Sequence, residues 1–174
     1  LLLLKVVLVV GAALVWASSA SAVDFPPREI GWENECDSAG DWLSNRVDPA
    51  IGTRVGMEGL SVVQVTQDGE GTWGKAAIRV DGVDVNATPV LEAAVTKVDL
   101  NSAFQVAIAP PDWSEMVTVI KRTSADGIHR GDLHKAIRRA GNPSAFESGF
   151  FVVVIVEGKG KSVWLDRVRV QSKR

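Results

Sequence analysis

Trp42, Trp73 and Trp113 each sit among polar or glycine neighbours: Asp41 and Ser44, Thr72 and Gly74, Asp112 and Ser114. An indole on a loop or an open sheet face can stack on the C–H face of a sugar ring, whereas a ring beside a turn can equally cap the end of a hydrophobic core. The chain has no tyrosine to share that role. Lys75 and Arg79 alternate with Ala76 and Ile78, so in a strand they face away from the apolar positions. There they line the same surface and donate to hydroxyls or carboxylates, or they are simply solvated. Trp32 and Trp164 read as core, because one lies beside the opening strand and the other on an apolar parity.

Asp166 poses a second chemical question. Alternation over 162–170 places it with Trp164, Val168 and Val170, opposite Val163, Leu165, Arg167 and Arg169. An ionised carboxylate on an apolar face costs several kcal/mol unless a cation, an arginine or backbone N–H groups meet it.

Acid–base chemistry finds little support. Tyrosine is missing, and His129 and His134 are five residues apart, which does not stack them on one helical face. Glu92, Glu115 and Glu147 lie on or beside strands without an evident carboxylate partner, and no Gly-x-Ser-x-Gly elbow is present. The residues single out no catalytic group, and a lyase or hydrolase ranks behind a binding module or a structural, protein-interaction module.

The elements that must position these residues are short and extended. Val23 to Phe25, stopped by Pro26-Pro27, Ile30 to Trp32 and a weak stretch near 47–55 precede clearer strands over 60–66, 73–80, 90–98, 104–109, 115–122, 150–156 and 162–170. The run 150–156 is apolar throughout, the mark of a central strand buried on both faces. The segment 127–140 is the one helical candidate, expected to form a turn or two over 132–139, with Asp132 as N-cap and Gly141-Asn142-Pro143 as its stop. Regular spacing with Gly and Pro turns predicts an all-β protein, a two-sheet antiparallel β-sandwich.

Residues 1–22 have the basic, apolar and small-residue parts of a secretory signal ending in an A-x-A-like site, which leaves 23–174 as one domain and implies secreted or periplasmic export. After cleavage no membrane association is expected. Cys36 is the sole cysteine, so no intramolecular disulfide can form. Nineteen basic and 21 acidic side chains, net −2, leave no footprint for nucleic acid and favour a neutral partner.

Several stretches are familiar together: Asp24-Phe25 with Gly31-Trp32, Gly71-Thr72-Trp73-Gly74, Val85 to Leu91, Thr123 to Gly127 leading into Gly131-Asp132-Leu133, and Glu157 to Val170. In that order they resemble the galactose-binding-like jelly rolls found as carbohydrate-binding modules in secreted bacterial polysaccharide-degrading proteins. The resemblance implies non-catalytic binding of a polysaccharide or glycoconjugate. It also implies a structural Ca²⁺ held by Asp166 and Asp24, with Glu58 a weaker third ligand.

Overall fold

β-branched and aromatic runs too short for a membrane-spanning helix resolve into strands that pair in two layers. The computed structural model describes residues 28–53 and 61–173. Its strands are β1 (Ile30–Asn34), β2 (Leu43–Asn45), β3 (Val47–Thr53), β4 (Ser61–Gln67), β5 (Trp73–Val80), β6 (Val90–Val98), β7 (Ala103–Ala109), β8 (Val117–Thr123), β9 (Gly127–Asp132), β10 (Phe150–Glu157) and β11 (Lys161–Gln171). One short helix, α1, covers Leu133–Ile137. One sheet runs β3-β4-β11-β6-β9 with β1 also on β11; the other runs β2-β5-β10-β7-β8, and every pairing is antiparallel. The all-β sandwich expected from the sequence is the observed architecture.

β10 is the middle strand of the five-stranded sheet, between β5 and β7. Val152, Val154 and Val156 point into the space between the layers, where they meet Phe104, Ile108 and Leu165. Val153 and Ile155 point the other way and form a second apolar cluster with Ala77, Ala107 and Ala109. A strand with two buried faces needs no polar alternation, and each fully buried valine or isoleucine contributes roughly 1.5–3 kcal/mol.

β11 serves as the corresponding spine of the six-stranded sheet. One of its edges pairs with β4 over Lys161–Leu165 and then with β1 towards Gln171, while β6 follows its other edge. The register slips between Trp164 and Arg167, so Asp166 occupies a β-bulge. This overturns the simple alternation read from the sequence: Val163 and Leu165 before the bulge and Val168 and Val170 after it all enter the core. A bulge inserts one residue and so exchanges the two faces of the strand.

Two further expectations change. Trp164 does not lie on the core parity; it packs on the outer face, beside Gly52 and beneath Lys97, whose Nζ is 4.9 Å from the ring centroid. The segment 127–132 is a strand, not helix, because β6 offers it a free edge from Val90 to Val95. Asp132 still caps α1, its Oδ1 accepting the Lys135 N–H at 2.9 Å. The expected strand at Val23 to Phe25 and the signal segment lie outside the described residues.

The outer face of the six-stranded sheet is built on charge. Glu92, on β6, has a side chain only 1% exposed and sits among four arginines. Arg169 and Arg130 pair with it at 2.7 Å, Arg28 at 3.7 Å and Arg167 at 3.8 Å, and Gln171 donates a hydrogen bond at 3.0 Å. Burial alone pushes this carboxyl up, but the charges of Arg169 and Arg130 and the hydrogen bonds from Arg130 and Gln171 outweigh it and hold it below the usual 4.5. A depressed carboxylate contributes stability that is complete above its unfolded value and is lost as pH falls through the folded one. Urea unfolding of the wild-type chain is therefore expected to weaken below about pH 4.5. Glu92→Gln is expected to cost about 2–4 kcal/mol at neutral pH and to flatten that acid limb.

Candidate functional site

The apolar outer face of the five-stranded sheet cannot be left open to water, and the loop after β7 covers it. Pro110-Pro111 stops β7, and Trp113 turns back with its N–H donating to the Pro110 carbonyl at 3.0 Å. Its positive φ of 57° is held by Asp112, whose Oδ1 accepts from the Ser114 N–H at 3.0 Å and from its hydroxyl at 2.8 Å. Trp113 then stacks on Phe151 of β10, with centroids 4.8 Å apart and planes 26° apart. The indole remains 38% exposed, so one face is spent on the sheet and part of the ring still meets solvent.

Two cations brace this pair. Lys75 Nζ lies 4.9 Å from the Trp113 centroid and the Arg79 guanidinium 5.3 Å from that of Phe151. Contacts of this kind contribute about 0.5–1 kcal/mol each at exposed sites and fix the rings before any ligand arrives. Registers across β2, β5, β10 and β7 set the surrounding rows: Asn45, Lys75, Ile155 and Gln105 in one, Leu43, Ala77, Val153 and Ala107 in the next, then Arg79, Phe151 and Ala109. A cleft of about 300 Å³ opens between Leu43, Asn45, Lys75 and Trp113. Leu43 is 57% exposed at its rim.

Trp73 belongs to the same face, two residues before Lys75, and is 40% exposed with Arg46 5.6 Å from its ring centroid. Its partner across the sheet is Glu157, whose two carboxylate oxygens share the single Nε–H of Arg122, at 3.0 and 2.8 Å. From Trp73 to Arg79 the face is about 20 Å long, more than one sugar ring requires.

The sequence-derived candidates therefore divide. Trp73, Trp113, Lys75 and Arg79 come together on one face, whereas Trp42 is 5% exposed and packs in the core between the sheets. Its polar neighbours marked the end of a 3₁₀ turn at Ala39–Asp41, and the indole caps the core there. Arg79 is tied down: Nε donates to Asp81 at 2.8 Å and a terminal nitrogen to the Ser148 carbonyl at 2.9 Å. Lys75 has no carboxylate partner among the described residues. Phe151, Leu43 and Asn45 were missed from the sequence. Phe151 is hidden inside an apolar run, and only the register shows which of its residues face outward.

For the metal candidates, Asp24 and Glu58 lie outside the described residues. Asp166 is 7% exposed, and its charge reaches the thiol of Cys36. Burial first, then Asp166, Glu35 and Asp37, push that thiol far above its ordinary range, which keeps it protonated. Among the described residues no three His, Cys, Asp or Glu side chains are placed to hold a metal ion. His129 is a structural residue: its Nε2 lies 3.0 Å from the Ala125 carbonyl and its ring meets Phe104 edge-on at 5.2 Å.

A larger cleft of about 780 Å³ lies at the loop end, around Asp99 to Ala103 and Glu157 to Lys159, but no Trp or Phe lines it. The aromatic face is the better candidate for sugar contact.

No family model and no curated protein matches the sequence. Solved structures do share its fold. The family 11 carbohydrate-binding module of the cellulosomal cellulase Lic26A-Cel5E of Clostridium thermocellum superposes at a TM-score of 0.52 and 12% identity, over 84% of this chain and 95% of that one. The N-terminal CBM22-1-CBM22-2 tandem domain of Paenibacillus barcinonensis Xyn10C gives 0.54 and 12%, over 88% of this chain and 47% of that one. An exo-beta-agarase gives 0.56 and 13%, over 84% of this chain and 25% of that one. The chain thus spans only 47% of the tandem protein and 25% of the agarase. The fold is the jelly-roll β-sandwich of carbohydrate-binding modules.

Core and surface tryptophans separate in stability. Trp42→Ala is expected to cost about 3–5 kcal/mol in urea unfolding through the cavity it leaves. Trp113→Ala, which removes a half-open cover, is expected to cost less than about 2 kcal/mol.

Proposed function

We propose that this domain binds a polysaccharide chain, without catalysis, along the outer face of its five-stranded sheet. The observation that carries the reading is the braced aromatic pair, Trp113 on Phe151, over an apolar floor with Lys75, Asn45 and Gln105 as polar neighbours. Trp113 offers its exposed area to the C–H face of a pyranose, Lys75 and Asn45 donate to hydroxyls, and Trp73 supplies a second platform further along the face. Arg79 holds Phe151 in place and is a positioning residue. Support comes also from the fold, which this chain shares with modules named for carbohydrate binding, and from a CBM22-1-GH10 protein solved with xylohexaose at a TM-score of 0.54.

The test is affinity gel electrophoresis against xylan, mannan, β-glucan and agarose. Retardation is expected in at least one gel, with Trp113→Ala reducing affinity about tenfold or more and Trp73→Ala reducing it less. No retardation in any polysaccharide gel, or retardation indifferent to Trp113, overturns the reading.

The export expected from residues 1–22 fits a protein that meets polymeric glycans outside the cell. We also propose the structural calcium, with Asp166, which is 7% exposed, as its first ligand and Asp24 and Glu58 as the others. Hard oxygen ligands from separate segments suit this ion, and binding to the native state alone raises the melting midpoint with concentration. Differential scanning fluorimetry is expected to show a midpoint rising with Ca²⁺ and falling with chelator, and no such response in Asp166→Asn. A flat midpoint in the wild-type protein removes the ion.

A further inference from the structure

Charge is segregated on this molecule in a way that its near-neutral total conceals. Two clefts of about 510 and 470 Å³ flank α1 and share Asp132, Lys135 and Arg139. The first adds Arg138 and Lys173, and the second, between the edge strands β8 and β9, adds Lys121 and Arg130. Six cationic side chains thus line a joined groove that contains one carboxylate. Lys173 is satisfied by Asp132 and Arg130 by Glu92, both at 2.7 Å. Lys121, Lys135, Arg138 and Arg139 are exposed and form no ion pair among the described residues. The nearby Glu115 is already used, accepting the backbone N–H groups of Gly141 and Asn142 at 2.9 and 3.0 Å.

The last turn of a helix favours a cation, but α1 has five residues, and four unpaired cations exceed what its end can use. The groove is also built: Gly131 on β9 packs directly on the Val119 carbonyl of β8, so a side chain there would separate the strands and fill the floor. The position of the groove ties it to the aromatic face. Thr118 lines it, and Thr118 is also the β8 partner of Ala107, one step along the sheet from Val153. A chain lying on Trp113 that crosses β8 runs into this groove.

From this continuity we infer that the bound polysaccharide is acidic: carboxylate or sulfate groups on its sugars are held by Lys121, Lys135, Arg138 and Arg139. The inference rests on the glycan-binding reading for its choice of polymer. Arginine forks fit either anion, and lysine adds a mobile point charge. No Trp or Phe lines the groove, and His134 is the aromatic ring that it offers, so an extended stacking platform for unpaired nucleobases is lacking there.

Affinity gels containing polygalacturonate, dextran sulfate or neutral xylan test it on the wild-type protein and on the triple variant Lys121→Ala/Lys135→Ala/Arg139→Ala. All three positions are exposed, so the variant is expected to fold as the parent does. The expected result is about tenfold or stronger preference for an acidic polymer over xylan, steepest at low ionic strength and reduced to parity in the triple variant. Which acidic gel retards more tells carboxylate from sulfate. Equal retardation by xylan, a preference that survives the triple substitution, or equally tight binding of a DNA duplex overturns the inference. Trp113→Ala separates the two readings: loss of xylan retardation with the acidic preference intact supports the groove, and unchanged retardation in every gel counts against the aromatic face alone.

Discussion

A strand with no polar side commits both faces of its sheet. Val152, Val154 and Val156 require the second layer, and Val153 and Ile155 require some other cover. The molecule supplies it with a loop rather than a third sheet, which is why the stop at Pro110-Pro111 and the turn at Asp112 matter beyond their local geometry. An aromatic ring recruited to exclude water from valine and isoleucine is held flat and rigid, with its unused part towards solvent. Those are the attributes a sugar platform needs, so a packing problem and a recognition surface share one solution.

The other sheet meets the same problem with opposite means. Its outer face gathers Arg167 and Arg169 on β11 and Arg130 on β9 around the buried carboxylate of Glu92, and Glu33 on β1 pairs with the first two of these arginines. Removing water from an ion pair costs several kcal/mol per ion, and several partners with a glutamine offset that here. The two exteriors are therefore chemically distinct. One is apolar and aromatic, the other a charge lattice that passes through Arg130 into the groove beside α1.

Much of the fold was legible because its signals are local. The uniform run of β10, the Pro and Gly stops and the Asp132 cap each act within a few residues. What failed depended on distant partners. The bulge at Asp166 reversed the faces of β11, moved Trp164 outward and left Val163 and Leu165 in the core, and no feature of the sequence marks a bulge in an otherwise regular strand. The four arginines around Glu92 come from 28, 130, 167 and 169, so the carboxylate had no visible partner. Trp42 and Trp113 have similar neighbours in the chain, yet one fills the core and the other covers a sheet. Net charge was the least informative quantity, since summing over the chain erased the basic groove.

Among the described residues β8 and β9 are the last strands of their respective sheets, and rims of this kind present unpaired backbone groups to any passing segment. Here the two rims lean on one another where Gly131 meets the Val119 carbonyl. Each shields the other from a foreign strand, so this flank of the sandwich is protected against edge-to-edge polymerisation. The safeguard is the absence of a single methyl group.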